Sequence, residues 1–253
     1  MKMMVVALLL IVAALQDHRA AIEGVNLDMA EDSVDDQFDG CSAEMGKLVL
    51  DTYLKEEFKK SRNYSIAWLE ASKIYKELDL IAIHVYTNNG LKVFRNLNTD
   101  ARNGKSNYKT LKYNWYSLHF FLTKGLQKLK GECHNTYRAT TMDVNVVKES
   151  EVRFGSFTST SLDKKVIEGY GGTTCFEIHT CEGAHIEKYS KYPEEREVLI
   201  PPYEKFKVKD IKKRKDKELW CETVISLESS GIRSDLNCHI VKMIKDRKEK
   251  AKL

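Results

Sequence analysis

The spacing of apolar positions changes character near Gly131. Before it, apolar residues recur at helical intervals. Over Ala43 to Lys60 they fall at Leu48, Leu50, Tyr53, Leu54 and Phe58, and over Ile66 to Leu78 at Trp68, Leu69, Ala71, Ile74 and Tyr75. Tyr113 to Leu129 gives the clearest amphipathic helix, with Tyr116, Phe120, Leu126 and Leu129 on one side. Leu80 to Tyr86 is a short apolar run that fits a strand or a helix end. Asn88-Asn89-Gly90 marks a turn, and Thr99 to Lys109 reads as a polar loop.

After Gly131 the period shortens. Strands are expected over Thr136 to Ala139, Val152 to Ser161, Cys175 to Thr180, Ala184 to Tyr189, Glu195 to Ile200, Phe206 to Ile211 and Leu219 to Leu227. Glycines and Pro201-Pro202 punctuate them. Helices first and strands later predict an α+β fold and argue against regular βαβ alternation. Gly169-Tyr170-Gly171-Gly172 lacks the third glycine of a dinucleotide fingerprint, and no phosphate-binding P-loop sequence is present.

The first residues follow a different logic. Lys2 precedes an unbroken apolar run of 11 residues, Val5 to Leu15, and polar Gln16 to Arg19 follow. Eleven residues are too few for a helix to span a bilayer, which takes about 20. The pattern predicts a cleaved signal peptide over 1–20, cut somewhere in 14–21. The remainder, 21–253, reads as one domain without repeats or low-complexity linkers. The polar, basic C-terminus carries no hydrophobic tail for a lipid anchor, so a secreted protein with no membrane anchor is expected.

All six cysteines lie after the signal segment: Cys41, Cys133, Cys175, Cys181, Cys221 and Cys238. An even number in an oxidising compartment predicts disulfides, without choosing among the pairings. Asn63-Tyr64-Ser65 is a glycosylation sequon, so Asn63 is an expected glycan site.

The net charge of +4 is too mild to call for nucleic acid, but it is unevenly spread. From residue 205 onward there are 15 basic and 8 acidic residues, while 23–57 hold 11 acids against Lys47 and Lys55. Both blocks read as solvated faces. His179, Cys181 and His185 cluster in sequence but match no common zinc spacing, so no metal is expected.

Three short pieces carry candidate chemistry: Tyr137-Arg138-Ala139, Phe157-Thr158-Ser159-Thr160-Ser161, and Glu194 to Pro202 (EEREVLIPP). Each alone has an ordinary reading as a strand edge, a polar strand or a charged loop. In this order, the set resembles the vertebrate ecto-mono-ADP-ribosyltransferases, the arginine-specific class with an R–S–E motif. Leu27 to Ala30, Ala82 to Thr87 (AIHVYT), Ser117 to Thr123 (SLHFFLT), Val152 to Leu162 (VRFGSFTSTSL) and Glu197 to Pro202 (EVLIPP) extend the resemblance over nearly the whole mature chain.

The resemblance implies an ADP-ribosyltransferase-like fold, a helical N-terminal part packed beside two β-sheets, with NAD bound in the cleft as a substrate. It implies that Arg138 holds the phosphates and ribose of NAD, that Ser159 braces the site and that Glu197 is the catalytic glutamate. It also implies that Glu195 goes with arginine as acceptor. Tyr170 is a candidate to stack on nicotinamide, although the segment from Leu162 to Cys175 looks short for the family and its aromatic cannot be aligned firmly. Ala139 stands where the family commonly has glycine. The resemblance further implies Cys41 with Cys238 and Cys133 with Cys181. That leaves Cys175 and Cys221 either paired or with one acting as a regulatory thiol.

The residue chemistry agrees with these roles. A guanidinium fork suits a diphosphate. A carboxylate can stabilise the oxocarbenium-like centre left when nicotinamide departs from ribose. If Glu195 and Glu197 lie on one strand, their side chains share a face, and Glu195 can orient an incoming guanidinium and take its proton. The expected function is a secreted, monomeric transferase that moves ADP-ribose from NAD to arginine side chains of extracellular proteins. NAD hydrolysis, or a silent binding protein on the same scaffold, are the alternatives.

Overall fold

The computed structural model describes residues 24–170, 172–214 and 219–251. The predicted signal segment lies outside them. The helical part opens with α1 (Ser42–Leu48), which runs through a π-helical turn at Val49–Tyr53 into α2 (Leu54–Lys60). Then come α3 (Arg62–Ser72), α4 (Leu78–Thr87), α5 (Val93–Arg102), α6 (Lys105–Lys109) and α7 (Tyr116–Leu129). Leu80 to Tyr86 is therefore helical. Seven consecutive residues of α4, Ile81 to Thr87, are buried, which explains why the run shows no polar face. Thr99 to Lys109 is a correction. It is the end of α5, a break at Asn103–Gly104, and α6, because Val93, Leu97, Ala101 and Tyr108 turn inward while the polar residues between them face solvent. Asn63 of the sequon is exposed in the first turn of α3, its amide donating to the Leu91 carbonyl at 3.1 Å.

The strands are β1 (Val25–Asn26), β2 (His134–Thr140), β3 (Val144–Asn145), β4 (Glu151–Val152), β5 (Thr158–Ser161), β6 (Thr174–Thr180), β7 (Ala184–His185), β8 (Glu197–Ile200), β9 (Glu204–Lys213) and β10 (Thr223–Ile232). The expected strand over Val152 to Ser161 is broken. Arg153 and Gly155 sit between β4 and β5, with Gly155 at φ +69° and Arg153 buried against Asp35. Its guanidinium also donates to the Met29, Ala30 and Arg233 carbonyls, so it serves as an internal tie and not as a strand residue. Ala184 to Tyr189 pairs only over its first two residues. The strand expected over Leu219 to Leu227 begins at Thr223 and runs on to Ile232. Two further helices belong to this half: α8 (Lys164–Ile167), between β5 and β6, and α9 (His239–Lys250), after β10, whose charged sequence gave no clear period.

β1 and β3 form a small parallel pair. The other eight strands form a ladder in the order β4-β9-β10-β6-β2-β5-β8-β7. Its thinnest joint is between β2 and β5, where Tyr137 opposite Ser161 is the single pair. The joint divides the ladder into a large leaf and a small leaf, and these are the two strand layers of the expected fold.

Two cores follow from that division. Leu199 of β8 joins Phe157, Ala184 and Ile186 in packing on helical residues such as Tyr64, Ile83, Leu118 and Leu122, and on Phe38 of the segment before α1. Its neighbour Ile200 points to the opposite face, as strand geometry dictates, and packs with Phe176, Ile178, Phe206, Val208, Ile225 and Leu227 of the large leaf. The small leaf is thus held between helices and strands.

The disulfides are Cys41–Cys238, Cys133–Cys181 and Cys175–Cys221. The last answers the open question about Cys175 and Cys221. Cys41–Cys238 ties the start of α1 to the start of α9 across 197 residues. Closing loops of this length typically stabilises by about 2–5 kcal/mol.

Candidate active site

The site lies at the thin joint of the ladder. Because β2 and β5 pair only at Tyr137 and Ser161, the carbonyl of Ser159 has no backbone partner on β2. Arg138, next along β2, reaches across and donates from Nη1 to that carbonyl at 2.7 Å. One guanidinium therefore bridges the two leaves and keeps its remaining donors for something else. Burial lowers its pKa, with Arg102 adding repulsion while Tyr86 and Glu197 oppose the shift.

Ser159 pairs with Leu199 and Ser161 with Glu197, so the two serines share a face with Glu197. Glu197 is buried, and burial pushes its carboxyl up to about 7, helped by the charge of Glu195. Hydrogen bonds from Ser159 and Ser190 and the charge of Arg138 pull the other way. Its charge is therefore poised near neutrality.

Glu195 reaches the same hollow by a route that strand spacing did not predict. It ends a short 3-10 turn, Pro193–Glu195, and Arg196 takes the left-handed conformation at φ 46° before β8 starts at Glu197. The alternation argument for Glu195 and Glu197 is thus corrected: a turn, not a pleat, brings both into the hollow while Arg196 is exposed. Two ties fix the turn. The Ser161 hydroxyl donates to the Glu195 carbonyl at 2.7 Å, and the Leu162 amide donates to the Arg196 carbonyl at 3.1 Å.

Tyr170 lies in the 3-10 turn Glu168–Tyr170 after α8, and its hydroxyl donates to Glu195 Oε1 at 2.7 Å. That bond is the main reason its pKa is pushed up to about 12, so the hydroxyl remains a donor at neutral pH. Ala139, Val166 and Ile167 supply apolar wall. The hollow, with a cavity volume of about 100 Å³, is lined by all five candidates: Arg138, Ser159, Tyr170, Glu195 and Glu197. Arg138 also borders a second hollow of about 420 Å³, lined among others by Arg102, Asn103, Met142 and Phe154.

A family model described as NAD:arginine ADP-ribosyltransferase matches residues 27–234. The chain belongs to that family. It is 33% identical over 248 residues to an erythroblast NAD(P)(+)–arginine ADP-ribosyltransferase of Gallus gallus, covering 91% of this chain and 81% of the relative. It is 36% identical over 238 residues to ecto-ADP-ribosyltransferase 5 of Bos taurus, covering 84% and 73%. Among solved structures it is similar to a variant of the eukaryotic mono-ADP-ribosyltransferase ART2.2 in complex with NADH. The TM-score is 0.72 at 29% identity, over 85% of this chain and 98% of that one. The expected α+β ADP-ribosyltransferase fold holds on that match.

Some residues that hold this ADP-ribosyltransferase site escaped the sequence reading. Tyr86 of α4 donates to the Phe157 carbonyl at 3.0 Å, and Asn98 of α5 donates to both the Tyr86 hydroxyl and that carbonyl. They pin the start of β5 two residues before Ser159. Asn98 sits just before the segment mistaken for a loop, so no sequence signal marked it. Ser190 carries no signal either. Ser161 did: it repeats Ser159 at strand spacing, and the repeat places two hydroxyls on one face.

The cysteine–histidine grouping resolves differently from a metal site. Sulfurs of Cys133 and Cys181 lie near His179, but they are bonded to each other and offer no thiolate. The His179 ring nitrogen Nδ1 is 2.8 Å from Asn135 Oδ1.

Proposed function

We propose that the protein is an extracellular mono-ADP-ribosyltransferase that transfers ADP-ribose from NAD to arginine side chains of proteins and releases nicotinamide. The observation that carries this reading is the pair of carboxylates, Glu197 and Glu195, held in one hollow beside an arginine with free donors. NAD spans the two hollows, with its diphosphate on Arg138 at their boundary. Ionised Glu197 accepts from the ribose hydroxyl and offsets positive charge as the bond from ribose to nicotinamide breaks and the electron pair leaves with nicotinamide. A guanidine nitrogen of the acceptor then bonds to the ribose carbon and loses its proton to Glu195. Tyr170 has two possible tasks, stacking on nicotinamide and steering Glu195, and its bond to Glu195 supports the second.

Three disulfides support an oxidising compartment. We read the mature enzyme as residues 21–253, acting outside the cell as a monomer, with a glycan on Asn63. NAD hydrolysis uses the same Arg138, Ser159 and Glu197 with water as acceptor. Incubating the purified, oxidised protein with labelled NAD, with and without agmatine, separates the two. Label on agmatine is the expected result. Free ADP-ribose alone moves the assignment to a glycohydrolase, and no turnover removes the enzymatic reading.

A further inference from the structure

The basic C-terminal block divides into two regions with different electrostatics. On β9, Lys205 pairs with Glu151, Lys207 with Glu149, Lys209 with Glu228, and Lys212 lies 4.0 Å from Asp210. The charge of that strand is largely answered locally. On α9 only Lys245 has an acidic partner, Glu44, among the described residues, while Lys242 donates to the Asn237 carbonyl at 3.2 Å.

Of the remaining cations of α9, Lys242, Arg247 and Lys250 form a strip, while Lys248 lies outside it. His239, Lys242, Met243, Asp246, Arg247 and Lys250 line one shallow groove. Their spacing of three and four residues places them on one helix face, about 16 Å long at 1.5 Å per residue. Helix α6 packs against α9 and adds Lys109. Lys109, Lys242, Arg247 and Lys250 are exposed, and none forms an ion pair among the described residues. Asp246 is the one acid in the strip. The nearby acid Asp235 is already held by Lys105 and Arg233.

Local stability does not explain this arrangement. Cations at the end of a helix favour its dipole, which accounts for Arg247 and Lys250. Lys242 lies near the start of α9, the first turn holds no acid, and Lys109 comes from another helix. Partial burial lowers the pKa of His239, and the charges of Lys109 and Lys242 lower it further by repelling a proton. The cations are thus grouped at an electrostatic cost that a bound polyanion would reverse.

We propose that this strip, formed by Lys109, Lys242, Arg247 and Lys250 around His239, docks a sulfated polysaccharide of the extracellular matrix. The disulfides place the chain among extracellular polyanions. The strip contains no Phe, Tyr or Trp among its described lining residues, so it lacks the broad stacking platform of a single-strand nucleic-acid groove. Anionic lipid is concentrated on the cytoplasmic leaflet, away from such a protein. Binding here would concentrate the enzyme at matrix and cell-surface glycans, and the strip shares no residue with the catalytic hollow.

The test uses the full, oxidised chain on immobilised heparin across a salt series. A strip variant, Lys109→Gln with Lys242→Gln, Arg247→Gln and Lys250→Gln, is compared with a β9 variant, Lys205→Gln with Lys207→Gln, Lys209→Gln and Lys212→Gln. Both lose four positive charges. The strip variant should bind at least about tenfold more weakly, with a salt slope lower by roughly three to four, as expected from counterion release. The β9 variant should stay near the parent. Equal weakening of both would show that net charge alone governs retention and would overturn the proposal. So would tighter binding to phosphatidylserine vesicles, duplex DNA or unsulfated hyaluronan than to heparin. Agmatine turnover reports folding of both variants. Acetylation footprinting of the unmutated chain gives an independent reading: heparin should protect Lys109, Lys242 and Lys250 while leaving the β9 lysines reactive, and the reverse pattern sinks the idea.

Discussion

Glu57 and Glu197 are both buried carboxylates, and burial pushes them up to about 8 and about 7. The regions around them differ. Glu57, from α2, sits at the start of α7, where it accepts from the Ser117 amide at 2.9 Å and from the Ser117 hydroxyl, and Tyr64 closes the network through that same hydroxyl. Its partners are backbone and hydroxyl groups of a helix end, a capping task. Glu197 has two serines, but also Arg138 and a second carboxylate beside it in an open hollow. A raised pKa therefore does not distinguish them. Nor does a neighbouring hollow, since Glu57 lines one too; an arginine and a second carboxylate acting on the buried carboxyl group do.

The largest expected effect tests that distinction at the site. Glu197→Gln should lower both arginine transfer and NAD hydrolysis by about 100- to 1000-fold or more, the scale of lost preorganised electrostatics. Retention of either activity would remove Glu197 from the chemistry. For the unaltered enzyme, ionised Glu197 is the working form, so kcat should fall as pH drops below about 7.

Glu195→Gln should reduce transfer to agmatine by about 100-fold while leaving NAD hydrolysis within a few-fold, on the general scale of acid–base assistance. Unchanged transfer would mean that the turn holding Glu195 has another purpose. Arg138→Ala should raise KM for NAD by about 10- to 100-fold, the equivalent of a charged hydrogen bond worth about 1.5–3 kcal/mol. Isothermal titration with NAD checks whether the loss is in binding.

Glu57 should respond in stability and not in chemistry. Glu57→Ala leaves the Ser117 groups without their acceptor and should cost about 1–3 kcal/mol, read from denaturant midpoints. Its pH signature follows from the raised value. Between the ordinary 4.5 and about 8 the folded state holds a proton that the unfolded state has lost, so this group's contribution to stability falls as pH rises through that window. Glu57→Gln should flatten that part of the profile and leave kcat near the parent. A large loss of kcat in Glu57→Gln would erase the contrast between the two regions.

Much of this was legible beforehand because it is local. Helical period over α1–α3 and α7 and the shift to strand period after Gly131 come from side chains choosing between core and water within a few residues; the fully buried α4 showed no such period. The resemblance to the family implies Arg138, Ser159 and Glu197, with Glu195 and Tyr170, and the fold brings them to one hollow. The errors came where distant contacts set local structure. Arg153 breaks a strand because Asp35 and three carbonyls lie around it. The polar segment after Thr99 is largely helical because its few apolar residues find a core.

The sequence by itself determined the class of fold, the order of the chemical groups and two of the three disulfide pairs, through resemblance and local pattern. Only the tertiary structure decided how those groups meet. The single-pair joint between β2 and β5 leaves a carbonyl for Arg138 to bridge, and the left-handed turn at Arg196 turns Glu195 toward Glu197. It also decided which of the C-terminal lysines are neutralised on β9 and which stand together on α9. Those outcomes depend on groups far apart in the chain, and a charge or a hydrogen bond acts through distance in space, whatever the separation in sequence.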